Sequence, residues 1–246
     1  MPLEWLTSIS TRVIAIPSRW IRGARSQQRD LRSPDLRAQP DFVNFRSTDL
    51  KPRKDIRVTE SPRLLPRKPV PALRLPVAGG GIYELNTDPP SAFSLLVFYR
   101  GLHCPICKAQ LKDLDAKLDA FIRRGVSVVA ISADTEDRAV QTSLDWGLSQ
   151  LRLVYDLPLS AAREWGLYVS RGRGATSAGI VEPDVFTEPA IFLVRPDGTL
   201  YFGSVQTMPF ARPSFADIIG AIDFVVKYNY PARGEVDLTF EPLGAK

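Results

Sequence analysis

The two cysteines of this chain, Cys104 and Cys107, lie between a predicted buried strand and a predicted long helix, and this placement constrains the fold most. Residues 94–99 (SLLVFY) form a short, continuously apolar run, which is typical of a strand covered on both faces. From residue 105 to 124, apolar side chains recur every three or four positions, as on the buried face of a helix. A strand that leads into a helix through a Cys-x-x-Cys pair favours an α/β fold.

Strand-type and helix-type patterns continue to alternate after the cysteines. The pattern predicts strands at 126–132 and 151–155, helices at 134–146 and 159–165, a hairpin at 190–194 and 199–202, and a last helix at 213–227. A further hairpin with a glycine-rich turn is predicted near residues 73–85, before the cysteines. Residues 171–187 have no clear period and are interpreted as a long loop. We therefore predict a central mixed β-sheet flanked by helices, with an N-terminal β-hairpin.

Positive charge is concentrated in the first part of the chain. Residues 1–70 carry 15 Lys+Arg and 7 Asp+Glu, a balance of +8, whereas the remaining residues carry 17 and 20, a balance of −3. We predict a basic, Pro/Arg-rich and disordered extension over 1–61, a folded domain over 62–232 and a C-terminal tail over 233–246. The mildly acidic domain offers no field that would hold nucleic acid. No run of 18 apolar residues is present, so we expect no association with a membrane through a spanning helix.

The composition of residues 1–29 leaves the role of the extension open. Arginine, serine and threonine are frequent and Glu4 is the sole acid, which is typical of a transit peptide or a membrane-surface helix. A disordered extension, or a start codon assigned too early, fits the same composition. A secretory signal is not indicated, because Arg12 interrupts the apolar stretch and no basic segment precedes it. Two cysteines without such a signal indicate a reducing compartment, and we expect the protein to be cytoplasmic.

Cys104 and Cys107 are the candidate catalytic residues. A helix start presents unpaired N–H groups and the positive end of the helix dipole, so a sulfur placed there ionises nearer neutral pH. The spacing of three residues brings both sulfurs within bonding range, and Pro105 suits the first helical position, where no donor is needed. Because the thiolate is the form that attacks peroxides and disulfides, the pair predicts thiol–disulfide chemistry. Two buried cysteines without a redox role are the alternative.

His103 is the single histidine of the chain and precedes Cys104 directly. It could lower the pKa of the thiol or accept its proton, or it could be a solvated loop residue, and the sequence favours neither interpretation. Two thiolates and one imidazole are too few ligands for a closed zinc site, so we predict no metal and no cofactor. A Cu(I)-handling module and a redox-inactive interaction module remain as alternative functions.

Residues 62–230 resemble the AhpC/TSA (alkyl hydroperoxide reductase and thiol-specific antioxidant) family, the peroxiredoxin-like redoxins of the thioredoxin-like superfamily. The similarity is carried by a leader at 65–76, by FYRGLHCPIC at 98–107 and by FLVRPDG at 192–198. It implies a thioredoxin-like fold and an antioxidant oxidoreductase with a redox-active disulfide, acting as a thiol peroxidase or a disulfide reductase. The implied partners are a hydroperoxide or a protein disulfide, and an external thiol reductant of thioredoxin or glutathione type.

Two alignments with this family leave the attacking cysteine open. Counted without gaps from Phe98, Cys107 takes the place of the peroxidatic cysteine and Cys104 replaces a threonine. Aligned on the Cys-x-x-Cys pair, Cys104 is the nucleophile and Cys107 resolves it. We favour Cys104, because we expect the helix tip to be the more exposed position.

The resemblance also implies two supporting features around the cysteines. Pro189, immediately before a predicted strand, would form a cis-proline loop that faces the Cys-x-x-Cys helix. Peroxiredoxins place an arginine just before this strand, where the present chain has Glu188 and Pro189. Arg100, close to the cysteines in sequence, is the candidate substitute for that arginine.

Overall fold

The computed structural model describes residues 63–236 and is built around a mixed five-stranded sheet. Its elements in chain order are β1 (Arg74–Pro76), β2 (Ile82–Glu84), β3 (Phe93–Phe98), α1 (Pro105–Ala116), α2 (Leu118–Ile122), β4 (Val126–Ile131), α3 (Glu136–Trp146), β5 (Leu153–Val154), α4 (Leu159–Glu164), β6 (Val169–Arg171), β7 (Val185–Thr187), β8 (Ala190–Val194), β9 (Leu200–Val205) and α5 (Phe215–Tyr228). The extension predicted over 1–61 and the tail residues 237–246 lie outside the described residues.

Strand β3 occupies the middle of the sheet and leads directly to the cysteines. The strand order is β5-β4-β3-β8-β9, in which β3, β4 and β5 are parallel and β8 is antiparallel to both β3 and β9. All six residues of β3 are buried, which explains why its sequence is apolar except for Ser94. Its last residue, Phe98, is in register with Ile131 of β4 and Ala190 of β8. The chain therefore leaves β3 at the carboxyl edge of the sheet, where the site lies.

Alternating side chains of β3 supply two separate core clusters. Leu95 and Val97 pack on the face that also buries residues of α1, α2 and α5, and both cysteines belong to this cluster. Leu96 and Phe98 pack on the opposite face with the leader hairpin and with Trp165, whose ring centroid lies 5.6 Å from that of Phe98. Each fully buried side chain of this size contributes about 1.5–3 kcal/mol. The two clusters thus hold the start of α1 against a rigid strand.

The order and type of the predicted elements are confirmed, and two local expectations are wrong. The N-terminal hairpin forms between β1 and β2, and the hairpin around Pro-Asp-Gly forms between β8 and β9. The helix expected over 105–124 is interrupted at Lys117, whose backbone leaves the helical region (φ −106°, ψ 2°). The loop expected over 171–187 instead ends in paired strands, because β6 and β7 associate across the intervening residues. A pairing between such separated segments produces no regular spacing of apolar residues in the local sequence.

The described helices, from α1 to α5, include none that is long and apolar enough to cross a membrane.

Candidate active site

Cys104 is the N-cap residue of α1. Its backbone is extended (φ −98°, ψ 104°), and its Sγ accepts a hydrogen bond from the backbone N–H of Cys107 at 3.2 Å. The helix begins at Pro105, so the proline stands at the position that needs no donor. The sulfur thus satisfies one of the N–H groups that a helix start leaves unpaired. Both cysteines are free thiols.

The two thiols ionise in very different ranges. The pKa of Cys104 is lowered from the usual 9.0 to about 6, chiefly because the Cys107 thiol donates a hydrogen bond to its sulfur. The Cys107 amide and the positive charges of Arg212 and Arg100 act in the same direction, against the effect of burial. Burial raises the pKa of Cys107 well above its usual value, and the charge on Cys104 raises it further. At neutral pH the site therefore holds one thiolate, on Cys104, and one thiol, on Cys107.

Cys104 lies at the helix tip, but the structure does not make this position appreciably more exposed than that of Cys107. Its exposed fraction is 1%, and that of Cys107 is 0%. The connection after β3 folds over the tip, since Leu102 and His103 are themselves buried. A hairpin over 174–182 is attached there, because Thr176 Oγ1 donates to the carbonyl of His103 at 2.7 Å. The preference for Cys104 therefore depends on its ionisation and not on its exposure.

The low pKa of Cys104 predicts that its thiolate forms near pH 6. Raising the pH removes the proton, so the ultraviolet absorbance of the thiolate should rise in a first step with a midpoint of about 6. The second step should come at a much higher pH, because the chain has two cysteines and the other is Cys107. In a spectroscopic pH titration, Cys104→Ser should lose the first step and Cys107→Ser should keep it. A first step near the usual thiol pKa would contradict this assignment.

Asp134 fixes the turn between β3 and α1. Its carboxylate is buried, accepts the backbone N–H of Leu102 at 2.7 Å and pairs with Arg138 Nε at 2.9 Å. Gly101 has a positive φ of 126°, and a Cβ at this position would lie 2.5 Å from Asp134 Oδ2. The turn therefore requires glycine both for its backbone and for the close approach of the carboxylate.

Sequence analysis did not assign Asp134 to the site, although a signal for that position exists. The residue comes shortly after β4, as Gly101 comes shortly after β3. Since parallel neighbouring strands end at the same edge of a sheet, polar residues after each of them meet there.

His103 is buried, so the solvated-loop interpretation was wrong. Its ring packs 4.7 Å from that of Phe186, and Nδ1 lies 3.4 Å from Arg138 Nη2. Burial lowers the pKa of His103 to about 4, with further lowering by the charges of Arg100 and Arg138, so the ring is neutral at neutral pH. A neutral imidazole does not attract a thiolate by charge. Its buried Nε2 has no hydrogen-bond partner among the described residues.

The geometry around His103 gives the Cu(I) hypothesis no support. His103 would be the third soft ligand beside the two thiols, but its Nδ1 faces the guanidinium of Arg138. Within residues 63–236, no group of three or more His, Cys, Asp or Glu side chains is arranged to hold a metal ion.

Arg100 is held beside the site by carboxylates. Its guanidinium lies 3.2 Å from Glu182 Oε1 and 3.6 Å from Glu188 Oε2, and it stacks 4.4 Å from the ring centroid of Phe186. Its positive charge lowers the pKa of Cys104, as a lesser contribution. Arg100 thus acts on the sulfur through its field. Its hydrogen bond to Glu182 and its ion pair with Glu188 connect the start of the site to the segments before β7 and β8.

The expected cis-proline at Pro189 was wrong, since every peptide bond over residues 63–236 is trans. The physical reason lies in how the chain passes from β7 into β8. The backbone N–H of Glu188 donates to the carbonyl of Tyr168 at 2.8 Å, and the carbonyl of Pro189 accepts from Gln206 at 3.0 Å. Both hydrogen bonds continue the pairing of the neighbouring strands. The backbone on either side of Pro189 is therefore extended, as it is with a trans peptide bond.

Arg212 contacts the second cysteine and was missed by sequence analysis. Its Nη2 donates to Cys107 Sγ at 3.3 Å, its Nε donates to the carbonyl of Pro209 at 2.7 Å, and its Nη1 donates to Oε1 of Gln110. The arginine precedes α5 and lies 105 residues beyond Cys107 in the chain. No local pattern links such positions, because the contact exists only once α5 packs beside α1.

Comparisons with known proteins agree with this architecture. The sequence model of the AhpC/TSA family matches residues 66–202. Peroxidoxin BcpB from Mycobacterium tuberculosis is a structural neighbour with a TM-score of 0.52 and 18% identity, over 67% of this chain and 99% of that one. Mycobacterium tuberculosis AhpC has a TM-score of 0.54 and 15% identity, over 67% and 99%.

A third neighbour, thioredoxin peroxidase I of Plasmodium yoelii, has a TM-score of 0.53 and 19% identity, over 71% of this chain and 97% of that one. No curated protein matches the sequence. At these identities the structural neighbours show the fold alone, and they confirm the thioredoxin-like architecture expected from the sequence.

Proposed function

This chain belongs to the AhpC/TSA family of oxidoreductases, and we propose that it is a thiol-dependent peroxidase that cycles Cys104 and Cys107 between dithiol and disulfide. One observation carries the proposal. The Cys104 sulfur caps α1 at 3.2 Å from the Cys107 amide, with a lowered pKa, while the Cys107 thiol one turn further on stays protonated. The pair thus combines a nucleophile that is ready at neutral pH with a neighbour that does not compete for the oxidant.

The first step oxidises Cys104. Its thiolate attacks the terminal oxygen of a hydroperoxide, so a sulfur–oxygen bond forms and the oxygen–oxygen bond breaks. Cys104 becomes a sulfenic acid, and the leaving alkoxide takes up a proton to depart as an alcohol, or as water when the substrate is hydrogen peroxide. The peroxide gains the two electrons that the sulfur loses.

The second step closes the disulfide. Cys107 gives up its proton and attacks the sulfur of the Cys104 sulfenic acid, so the sulfur–sulfur bond forms and hydroxide leaves. The released proton and the hydroxide make water. Two thiols of an external reductant of thioredoxin or glutathione type then return two electrons and two protons, and the dithiol is restored. We also propose that this occurs in the cytoplasm, where reduced thiols are available.

The burial of the site favours a small hydroperoxide as substrate. Cys104 is 1% exposed, so a hydroperoxide reaches its sulfur more readily than a disulfide on a folded partner protein does. The same burial favours a small thiol of glutathione type over a thioredoxin-type protein as the reductant. Disulfide exchange with a protein partner is the second candidate function, because a Cys-x-x-Cys pair that starts a helix is also typical of that chemistry.

Oxidation of the reduced full-length protein by one equivalent of hydrogen peroxide tests the proposal. We expect rapid formation of an intramolecular disulfide, seen by mass spectrometry as the loss of two hydrogens, at a rate at least about a hundredfold above that of a free thiol. The free thiol of a small model peptide, measured at the same pH, is the control. Oxidation no faster than the control would overturn the peroxidase proposal, and reduction of a protein disulfide by the same sample would then favour the second candidate.

A further inference from the structure

A cavity of about 530 Å³ lies on the face of the sheet that is opposite to the cysteines. Trp165, Phe192 and Leu200 line it and belong to the core cluster of the leader hairpin, whereas Cys104 and Cys107 belong to the other cluster. Its volume is within the range of small-molecule sites in proteins, about 300–1,000 Å³. The peroxide chemistry proposed above uses none of the residues that line this cavity.

We propose that this cavity binds an organic anion, a monocarboxylate with an apolar body. The site is independent of the proposed peroxidase function, because the central sheet separates it from both cysteines. Three features of the lining support the assignment: an apolar inner wall, a set of hydrogen-bond donors without partners, and two cations without ion pairs.

The inner wall of the cavity is aromatic and aliphatic. Trp165 and Phe192 are buried with their ring centroids 5.2 Å apart, and the buried Leu167 and Leu200 extend the wall. Strand β9 passes this wall at Gly203, where an added Cβ would lie 3.0 Å from the ring of Phe192. The space therefore depends on the absence of a side chain at that position, and the wall suits an alkyl or aryl group.

Every polar side chain that the described residues contribute to the lining carries a hydrogen-bond donor, and no carboxylate is among them. Trp165 Nε1 is buried without a hydrogen-bond partner among residues 63–236. The side chains of Tyr168, Arg63 and Arg233 also form no hydrogen bond within this range. Because donors without partners are costly to bury, the lining favours a ligand that accepts hydrogen bonds.

Arg63 and Arg233 supply the positive charge of the cavity. Both are exposed, and neither forms an ion pair with a carboxylate of residues 63–236. Glu235, the acid nearest to Arg233 in the sequence, pairs instead with Arg67 at 3.3 Å, although the charge of Arg233 reaches it. Arginine binds a carboxylate through two parallel hydrogen bonds. The two cations beside an apolar wall therefore select a carboxylate that carries an apolar body.

Calorimetric titration of the reduced full-length protein with octanoate tests the proposal. Octanoate joins a carboxylate to an alkyl chain, and 1-octanol is the matched probe without the charge. We expect saturable binding of a single octanoate per chain, and binding of 1-octanol that is at least about tenfold weaker. Octanoate should also change the indole fluorescence of the protein. Trp165→Phe should lose this change, because Trp165 is the tryptophan that lines the cavity.

The double variant Arg63→Gln, Arg233→Gln should bind octanoate at least about tenfold more weakly, with its affinity for 1-octanol unchanged. The double variant Arg123→Gln, Arg152→Gln is the matched control, since it removes the same charge from two exposed arginines that do not line the cavity. It should keep the affinity for octanoate within about twofold. All four substitutions are at exposed positions, so both variants should fold.

Four outcomes would overturn the proposal. They are the absence of saturable binding up to about 10 mM octanoate, equal affinities for octanoate and 1-octanol, equal weakening in the two double variants, and an undiminished fluorescence change in Trp165→Phe. Equal affinities would show that the cavity takes up apolar molecules without regard to charge. Equal weakening would show that the net charge of the chain, and not the cavity, attracts the anion.

Discussion

Replacing Cys104 by serine is expected to abolish peroxide reduction, with a loss on the order of a thousandfold or more. The serine oxygen is not ionised at neutral pH, so the attacking thiolate disappears. Serine is itself a preferred N-cap residue, and its oxygen can accept the Cys107 N–H as the sulfur does at 3.2 Å. The loss would therefore report chemistry and not unfolding of α1. The measurement is peroxide consumption at neutral pH with an excess of thiol reductant.

Cys107→Ser is the matched control, and it separates the two possible roles of the cysteines. In this variant Cys104 should still react once with peroxide, and its sulfenic acid should accumulate because no second thiol closes the disulfide. The opposite pattern, with sulfenate on Cys107 in the Cys104→Ser variant, would show that Cys107 attacks. That result would favour the alignment in which Cys107 takes the peroxidatic position.

Replacing Gly101 by alanine is expected to destabilise the protein by about 3 kcal/mol or more. The positive φ of 126° is strained for any residue with a side chain, and the new Cβ would lie 2.5 Å from Asp134 Oδ2. Relief of that contact would move the carboxylate away from the N–H of Leu102, which it accepts at 2.7 Å. The turn that positions Cys104 would then lose its main hydrogen bond. Equilibrium unfolding in urea measures the change in the free energy of unfolding.

Gly147→Ala separates backbone strain from the loss of this turn. Gly147 ends α3 with a positive φ of 64°, and no atom lies within 4 Å of its Cβ position. Alanine there should cost about 1 kcal/mol, because only the left-handed backbone is strained. Equal losses for the two variants would contradict the argument that Asp134 makes glycine necessary at Gly101.

Local patterns allowed the elements that carry the site to be predicted. The apolar run of β3, the helical period of α1 and the position of Pro105 each depend on neighbours within about one turn or one strand. The order of strands and helices followed from the same patterns, and the resemblance to the AhpC/TSA family was confirmed by the match over residues 66–202. The pairing of β6 with β7 was not visible, because it joins residues separated by a long connection.

The environment of the cysteines depends on contacts that no local pattern contains. His103 is neutral because the tertiary structure buries it against Phe186, and Cys104 is covered because a distant hairpin hydrogen-bonds to the residue before it. The trans bond at Pro189 follows from strand pairing on both sides of that residue.

The sequence by itself determined that two thiols stand at the start of a helix that follows a buried strand, because propensity and period are properties of short segments. Only the tertiary structure decided which charges surround those thiols. Arg212 reaches Cys107 from 105 residues away, and Asp134 reaches the turn at Gly101 from the loop that follows the neighbouring strand β4. The physical reason is that the pKa of a buried sulfur depends on burial and on charges within a few ångströms, and both are set by packing between distant segments.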